Sequence, residues 1–384
     1  MKLVYYIPSL FISGGLERII TFKANYLVEN YPDYQITIIT SEQLGKKPYF
    51  NLSPKIKHID INVPFDQPYN QSKLTKAIKF PYRYMLFKHR LSKELKELRA
   101  DIVISTLRRE LYFINSIKDG SVKIAEFHVT RHSYNIGSRK STNIVINLIK
   151  KTFNQYYINQ ISKLGKFVIL TNEEKHNWPE LNNIKVIGNP IVINTDKVSN
   201  CSSTQVIAVG RHSYQKGFDL LIKSWNLIAQ KYPNWILKIY GDGNTKEIIE
   251  LINQLKLSNN CILEHSTPNI VEKYLESSIF VLSSRFEGFG LVITEAMSCG
   301  VPPVSFACPC GPKDIIKDGE DGLLVENGNI EQLAEKICYL IENEDVRKEM
   351  GKKARINVER FKIENIAKQW DDLFKDLLSQ KEKH

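Results

Sequence analysis

Two doubly wound α/β domains facing each other across a cleft are the architecture that this 384-residue sequence predicts. Three features carry the prediction. Short β-rich runs alternate with helical stretches, the pattern of a parallel sheet covered on both faces. The alternation restarts near residue 205 after a polar stretch. The chain is also too long for one ordinary hydrophobic core and suits two.

In the first half, residues 2–7 are β-rich and lead through Ser13-Gly14-Gly15 into an amphipathic helix over 16–28. Further strands are expected at 35–40, 101–106, 122–126, 167–170 and 184–187, with helices between several of them. Gly188-Asn189-Pro190 and the polar residues 194–205 read as the linker. The second half then runs strand 205–209, helix 216–231, strand 236–240, helix 245–257, strand 261–264, helix 270–276 and strand 279–282. Strands 303–306 and 322–325 follow. The predicted domains are 1–193 and 194–360, and 361–384 form a terminal helix. That helix carries Ile366, Trp370, Phe374 and Leu377 on one face, which predicts packing back toward the first domain.

Composition narrows the class. A hydrophobic share of 42% with 25% charged residues is that of an ordinary globular protein. No run approaches the ~20 apolar residues that span a bilayer, and the stretch before Pro8 is too short for a secretion signal, which predicts a cytoplasmic location. Cys201, Cys261, Cys299, Cys308, Cys310 and Cys338 form no disulfide framework, in keeping with a reducing compartment. Cys308 and Cys310 lack His or Cys partners at zinc spacing, so no metal site is predicted there. Residues 1–198 hold 30 Lys and Arg against 16 Asp and Glu, a balance of +14, whereas the remainder stands at −3. The first half therefore suits an anionic partner.

The most informative stretch is Arg285-Phe-Glu287-Gly288-Phe289-Gly290-Leu291-Val-Ile-Thr-Glu295-Ala-Met-Ser-Cys-Gly300. A strand, a glycine turn and a helix start in that order make an anion cradle, since the first helical N–H groups lack partners and the dipole is positive there. The flanking Glu287 and Glu295 suit sugar hydroxyls, because a carboxylate only accepts hydrogen bonds. A phosphate beside sugars is what a nucleotide sugar presents. Upstream, Gly210-Arg211-His-Ser-Tyr-Gln-Lys216-Gly217 closes one strand and opens a helix, at the strand edge where ligands of open α/β sheets bind. Arg211 and Lys216 would each give a diphosphate a charge-assisted bond of roughly 1.5 to 3 kcal/mol.

Taken together, Gly-Arg-x4-Lys-Gly followed some seventy residues later by Glu-Gly-Phe-Gly-x4-Glu-Ala-Met-x-x-Gly resembles the family 4 retaining glycosyltransferases of the GT-B fold. The resemblance covers nearly all of the second half; in the first it rests on Gly14 to Glu17 and the strand rhythm. It implies that Arg211 and Lys216 hold the donor diphosphate and Glu295 the ribose hydroxyls. Glu287 and the backbone of Gly288, Phe289, Gly290 and Leu291 would hold the hexose and the distal phosphate. Gly14 and Gly15 would lie under the donor phosphate, with Glu17 either orienting their loop or merely favouring the helix start. A histidine that touches the transferred sugar falls on His128, with His132 as competitor. The turn Cys308-Pro-Cys310-Gly311-Pro-Lys-Asp314 resembles one in bacterial relatives that add galactose-type or N-acetylhexosamine units, which puts Gly311 near the hexose. Transfer without a metal or other cofactor is implied, and Asp242 and the Asp318 to Asp321 turn each have an ordinary loop explanation.

The expected activity is transfer of a hexose or N-acetylhexosamine from a nucleotide diphosphate sugar, a UDP-sugar, to a hydroxyl of a glycan or lipid-linked acceptor in bacterial polysaccharide synthesis. A phosphorylase, a nucleotide-sugar epimerase and a non-catalytic sugar-nucleotide or membrane-docking module are the alternatives. Residues 73–99 hold nine Lys or Arg against two Glu, with Tyr84, Phe87, Leu91, Leu95 and Leu98 at helical spacing. Such a helix either docks on anionic lipid at the inner face of the cell membrane or buries its stripe in its own domain. No recognition motif accompanies the charge, so nucleic acid is not expected.

Overall fold

The computed structural model describes residues 1–65, 73–131, 144–193 and 195–382, which leaves His132 outside the described residues. The chain divides into two compact units. The first comprises Met1–Leu170, Lys175–Pro190 and Ile363–His384, and the second Thr171–Glu174 and Ile191–Lys362.

Strands β1 (Lys2–Tyr6), β2 (Gln35–Thr40), β3 (Lys57–Asp60), β4 (Ile102–Ser105), β5 (Val122–Phe127), β6 (Lys166–Ile169) and β7 (Ile184–Val186) build the first sheet. The second contains β8 (Gln205–Val209), β9 (Ile236–Tyr240), β10 (Cys261–Glu264), β11 (Ile279–Leu282), β12 (Pro303–Phe306) and β13 (Leu323–Val325). The longer helices begin with α1 (Gly15–Asn30), α2 (Lys73–Leu98) and α3 (Ile144–Ser162), then the short α4 (Asn172–His176). In the second unit they are α5 (Phe218–Lys231), α6 (Lys246–Gln254), α7 (Ile270–Leu275), α8 (Leu291–Ser298), α9 (Pro312–Ile315), α10 (Ile330–Glu342) and α11 (Glu344–Asn357). The chain closes with α12 (Ile363–Glu382).

All pairings are parallel, in the order β3-β2-β1-β4-β5-β6-β7 and β10-β9-β8-β11-β12-β13. These are doubly wound sheets whose chain direction reverses at β1/β4 and at β8/β11. Central strands are apolar because helices cover both faces: every residue of β4, β11 and β12 is buried. Two doubly wound parallel-sheet α/β domains, one of seven strands and one of six, are observed as expected.

For the stripe of the basic helix, the second of the two readings holds. Phe87, Leu91 and Leu95 are fully buried, and Tyr84 and Leu98 pack against the same core, so the predicted stripe belongs to its own domain. Arg83 and Arg90 also turn inward, donating to the carbonyls of Phe65 and of Ile61 and Asn62. The face left outside carries Ile78, Phe80, Tyr82 and Met85, with Lys79, Lys88, Lys93 and Lys96 exposed along the same helix. No helix among the described residues is long and apolar enough to cross a membrane.

Helix α12 belongs to the first unit. Its Ile366, Trp370, Phe374 and Leu377 are buried, and its Asp371 accepts a 2.6 Å hydrogen bond from Tyr34. Residues 171–174 belong to the second unit because Asn172 and Glu173 donate to Asp314 while the Cys310 amide donates to Glu173.

Candidate active site

In the second unit the loops after β8 and β11 stand side by side, since those strands are neighbours and parallel. This is the reversal point of the sheet, where ligands bind off the carboxyl ends. The first loop carries Arg211 and Lys216, and the second Glu287. Lys216 Nζ donates to Glu287 Oε1 at 2.7 Å, and Ser284 Oγ donates to the same oxygen at 2.6 Å. Both bonds fall on Oε1, which leaves Oε2 to accept from a ligand; the ammonium likewise keeps two donors. The residues are recessed but reachable, with 16% of the Lys216 side chain and 8% of the Glu287 side chain exposed.

Gly210 makes this pairing sterically feasible. A side chain there would lie 2.9 Å from the Lys216 side chain, which crosses the end of β8 on its way to Glu287. Other contacts lock the two loops. Arg285 makes a two-pronged pair with Asp219 at 2.8 and 2.7 Å, donates to the Tyr214 carbonyl and lies over the Tyr214 ring. Against the pull of partial burial, that guanidinium holds the Asp219 carboxyl below its usual range. The Arg285 amide donates to Gln215 and Ser283 Oγ to the Lys216 carbonyl. Arg211 is exposed beside this assembly in sequence, at the end of β8.

Helix α8 starts directly after the glutamate loop. Its cap residue Gly290 has φ of 99°, a left-handed conformation that favours glycine, and no side chain caps the helix. As at any helix start, the first amides, from Leu291 on, lack carbonyls one turn back. Phe289 is buried against Phe361, so only its backbone is available to a ligand. Glu295, one turn into α8, is buried and accepts a 3.2 Å bond from Tyr274. The Cys308–Asp314 turn packs on the same loop: the Glu287 amide donates to Pro309, and Gly311 sits against the Phe289 carbonyl. Cys308 and Cys310 are buried thiols, raised by burial, and Cys310 Sγ donates to Glu174. Asp242 is tied to His265 and Ser266, Asp318 to the Leu324 amide and Asp321 to the Lys317 amide.

The remaining predicted residues lie in the first unit. Gly14 and Gly15 begin α1 beyond β1, and the Glu17 carboxylate folds back against Gly14. His128 directly follows β5, with Nε2 3.0 Å from Glu126 Oε1. The structure thus brings Lys216, Glu287, Gly288, Phe289, Gly290 and Leu291 together, with Arg211 and Glu295 on the elements that flank them. Sequence reasoning missed Ser284, Asp219, Arg285 and Tyr274. Arg285 opens the motif already singled out, but its partner Asp219 carries no local signal.

Glu126 and Lys23 give the first unit an acid-sensitive element. Both are buried; Lys23 donates to both carboxylate oxygens. Burial raises the Glu126 carboxyl, but the charges of Lys23 and His128 outweigh it and bring it to about 2. Burial lowers the Lys23 ammonium more than the Glu126 charge raises it. The acid limb follows Glu126, because Lys23 keeps its proton throughout it. A carboxyl held below its unfolded value stabilises the fold above pH ~4.5 and loses that contribution as pH falls toward ~2. Urea unfolding of Lys23→Met/Glu126→Gln should therefore lose less stability over that window than the wild type; equal losses would contradict the pairing.

An open α/β site with a cation, two buried acids and a helix start suits a phosphorylated carbohydrate. Comparison with known proteins makes the class definite. The family model for glycosyl transferases group 1 matches residues 194–357. An uncharacterized glycosyltransferase of Haemophilus influenzae is 30% identical over 383 residues, covering 96% of this chain and 98% of that protein. The chain belongs to this glycosyltransferase family. The amylovoran biosynthesis glycosyltransferase AmsD of Erwinia amylovora is 27% identical, covering 97% and 99%. Among solved structures, a mutant of Staphylococcus aureus TarM in complex with fondaparinux, α-GlcNAc-glycerol and UDP has a TM-score of 0.75 at 18% identity, covering 97% and 99%.

Proposed function

We propose that the protein transfers a hexose or N-acetylhexosamine from a nucleotide diphosphate sugar, specifically a UDP-sugar, to a hydroxyl of a glycan or lipid-linked acceptor, with retention at the anomeric carbon and without a metal. The observation that carries this reading is the Lys216–Glu287 pair, set at the reversal point of the second sheet beside the start of α8. Arg211 and Lys216 take the diphosphate, and the α8 amides take the distal phosphate. Glu287 Oε2 accepts from a hexose hydroxyl and Glu295 from the ribose. Gly14 and Gly15 serve the donor phosphate, and His128 touches the transferred sugar. Cations and helix amides neutralise the leaving diphosphate as it departs, a preorganised electrostatic stabilisation. The departing phosphate oxygen takes the acceptor proton on the same face. UDP and α-GlcNAc-glycerol in the TarM complex support the donor and acceptor classes.

Mixing the protein with UDP-sugars should release UDP only when an acceptor glycan is added. Release without acceptor, phosphate-dependent sugar phosphate formation or a donor epimer would replace this reading with one of the other chemistries.

The acceptor end carries a second proposal, docking of α2 on an anionic bilayer at the inner face of the cell membrane. Its support is the outward face, where Ile78, Tyr82 and Met85 accompany exposed cations; each near the surface is worth about 1 kcal/mol. Phosphatidylglycerol vesicles should sediment the wild type but not Tyr82→Ser/Met85→Ser/Lys88→Glu. Equal sedimentation of both would remove the proposal.

A further inference from the structure

Three ionisable side chains meet inside the first unit. Lys23 on α1 is 0% exposed, Glu126 on β5 is 2% exposed, and the His128 side chain is 9% exposed. Lys23 Nζ lies 2.6 Å from Glu126 Oε1 and 2.5 Å from Oε2. His128 Nε2 lies 3.0 Å from Oε1, an ion-pair contact, and has no hydrogen-bond partner among the described residues. The Trp370 ring of α12 covers the ammonium at 3.8 Å, and the Tyr5 ring lies 5.5 Å away. The alternation of a strand explains the meeting: Ala125 and Phe127 face one core, while Glu126 and His128, two apart, share the opposite direction.

Burying an ammonium and a carboxylate costs several kcal/mol per ion, and an apolar pair of similar volume is often as stable. Stability alone gives this cluster no reason to be ionic, but its third member gives it one. We propose that Glu126 and Lys23 are positioning residues for His128: Lys23 anchors the carboxylate, and the carboxylate holds the Nε2 edge of the imidazole, leaving Nδ1 to meet the sugar. The proposal rests on the reading of His128 as the residue that touches the transferred sugar. It makes α1 and α12 the mounting of that histidine, although neither carries a group that touches substrate.

The test is a double-mutant cycle on the full chain, assayed with UDP-glucose and UDP-N-acetylglucosamine, using whichever the wild type turns over. Glu126→Gln should lower kcat about 10- to 100-fold, the scale of a slightly misplaced reactive group, with donor KM within about twofold. Lys23→Met/Glu126→Gln should show the same loss, and because it strands no buried charge it carries the test if Glu126→Gln does not fold. In a His128→Ala background, neither change should lower kcat further. Equal losses with and without His128 would mean a merely structural role and overturn the proposal, as would wild-type kcat in the folded Lys23→Met/Glu126→Gln protein. Wild-type turnover in His128→Ala would instead overturn the reading of His128. A substrate-free readout stands beside the kinetics: the 15N resonances of His128, identified by their loss in His128→Ala, should move in Lys23→Met/Glu126→Gln. Unmoved resonances would show that the pair does not hold the ring.

Discussion

Glu287→Ala is expected to fold and to have lost nearly all transfer, with turnover down about 1,000-fold or more. The carboxylate is bonded by Lys216 and Ser284 through one oxygen only, so its other oxygen is the group offered to a sugar hydroxyl. If a vicinal hexose diol gives Oε2 two such bonds, each charge-assisted and worth about 1.5 to 3 kcal/mol, their tightening in the transition state sets the size of the loss. Folding survives because the glutamate loop stays tied through Arg285 to Asp219 and Gln215. Steady-state kinetics with circular dichroism as the folding control check this. A folded Glu287→Ala protein with wild-type turnover would remove Glu287 from the site.

Lys216→Ala should weaken UDP binding by about 100-fold, seen by titration calorimetry. It removes one of two cations assigned to the diphosphate and also leaves Glu287 without its counter-ion, so a carboxylate then faces the incoming phosphates. The second effect sets it apart from Arg211→Ala, whose exposed side chain has no such partner among the described contacts and whose loss should be nearer 10-fold. A smaller effect for Lys216→Ala than for Arg211→Ala would contradict the pairing. Gly210→Val offers a check that leaves both charges in place: by displacing the lysine stem it should reproduce much of the Lys216→Ala loss.

Much of this was readable from the chain because of how parallel sheets bury their strands. β8, β11 and β12 fall where apolar runs placed them, since strands covered on both faces leave no polar alternation to confuse them. β3 escaped notice because Lys57–Asp60 is a short edge strand with two charged ends and no fully buried residue. The helix expected from Lys216 starts at Phe218, because Tyr214–Lys216 forms a separate 3₁₀ turn ended by Gly217 with φ of 60°. Local pattern could place Lys216 and Glu287 each at a strand end. It could not join them across 71 residues, because their pairing depends on β8 lying next to β11. The same limit hid Lys23 and Glu126, 103 residues apart. On α2 the apolar spacing was correct, but spacing alone does not distinguish a stripe facing lipid from one facing its own core.

The most direct measurement is a crystal structure of the protein grown with UDP. The diphosphate should lie within hydrogen-bonding distance of Lys216 and Arg211 beside the start of α8, with the ribose hydroxyls on Glu295. UDP bound away from the β8 and β11 loops, or bound there with its phosphates pointing away from Lys216, would contradict the assignment of the second unit as the donor site.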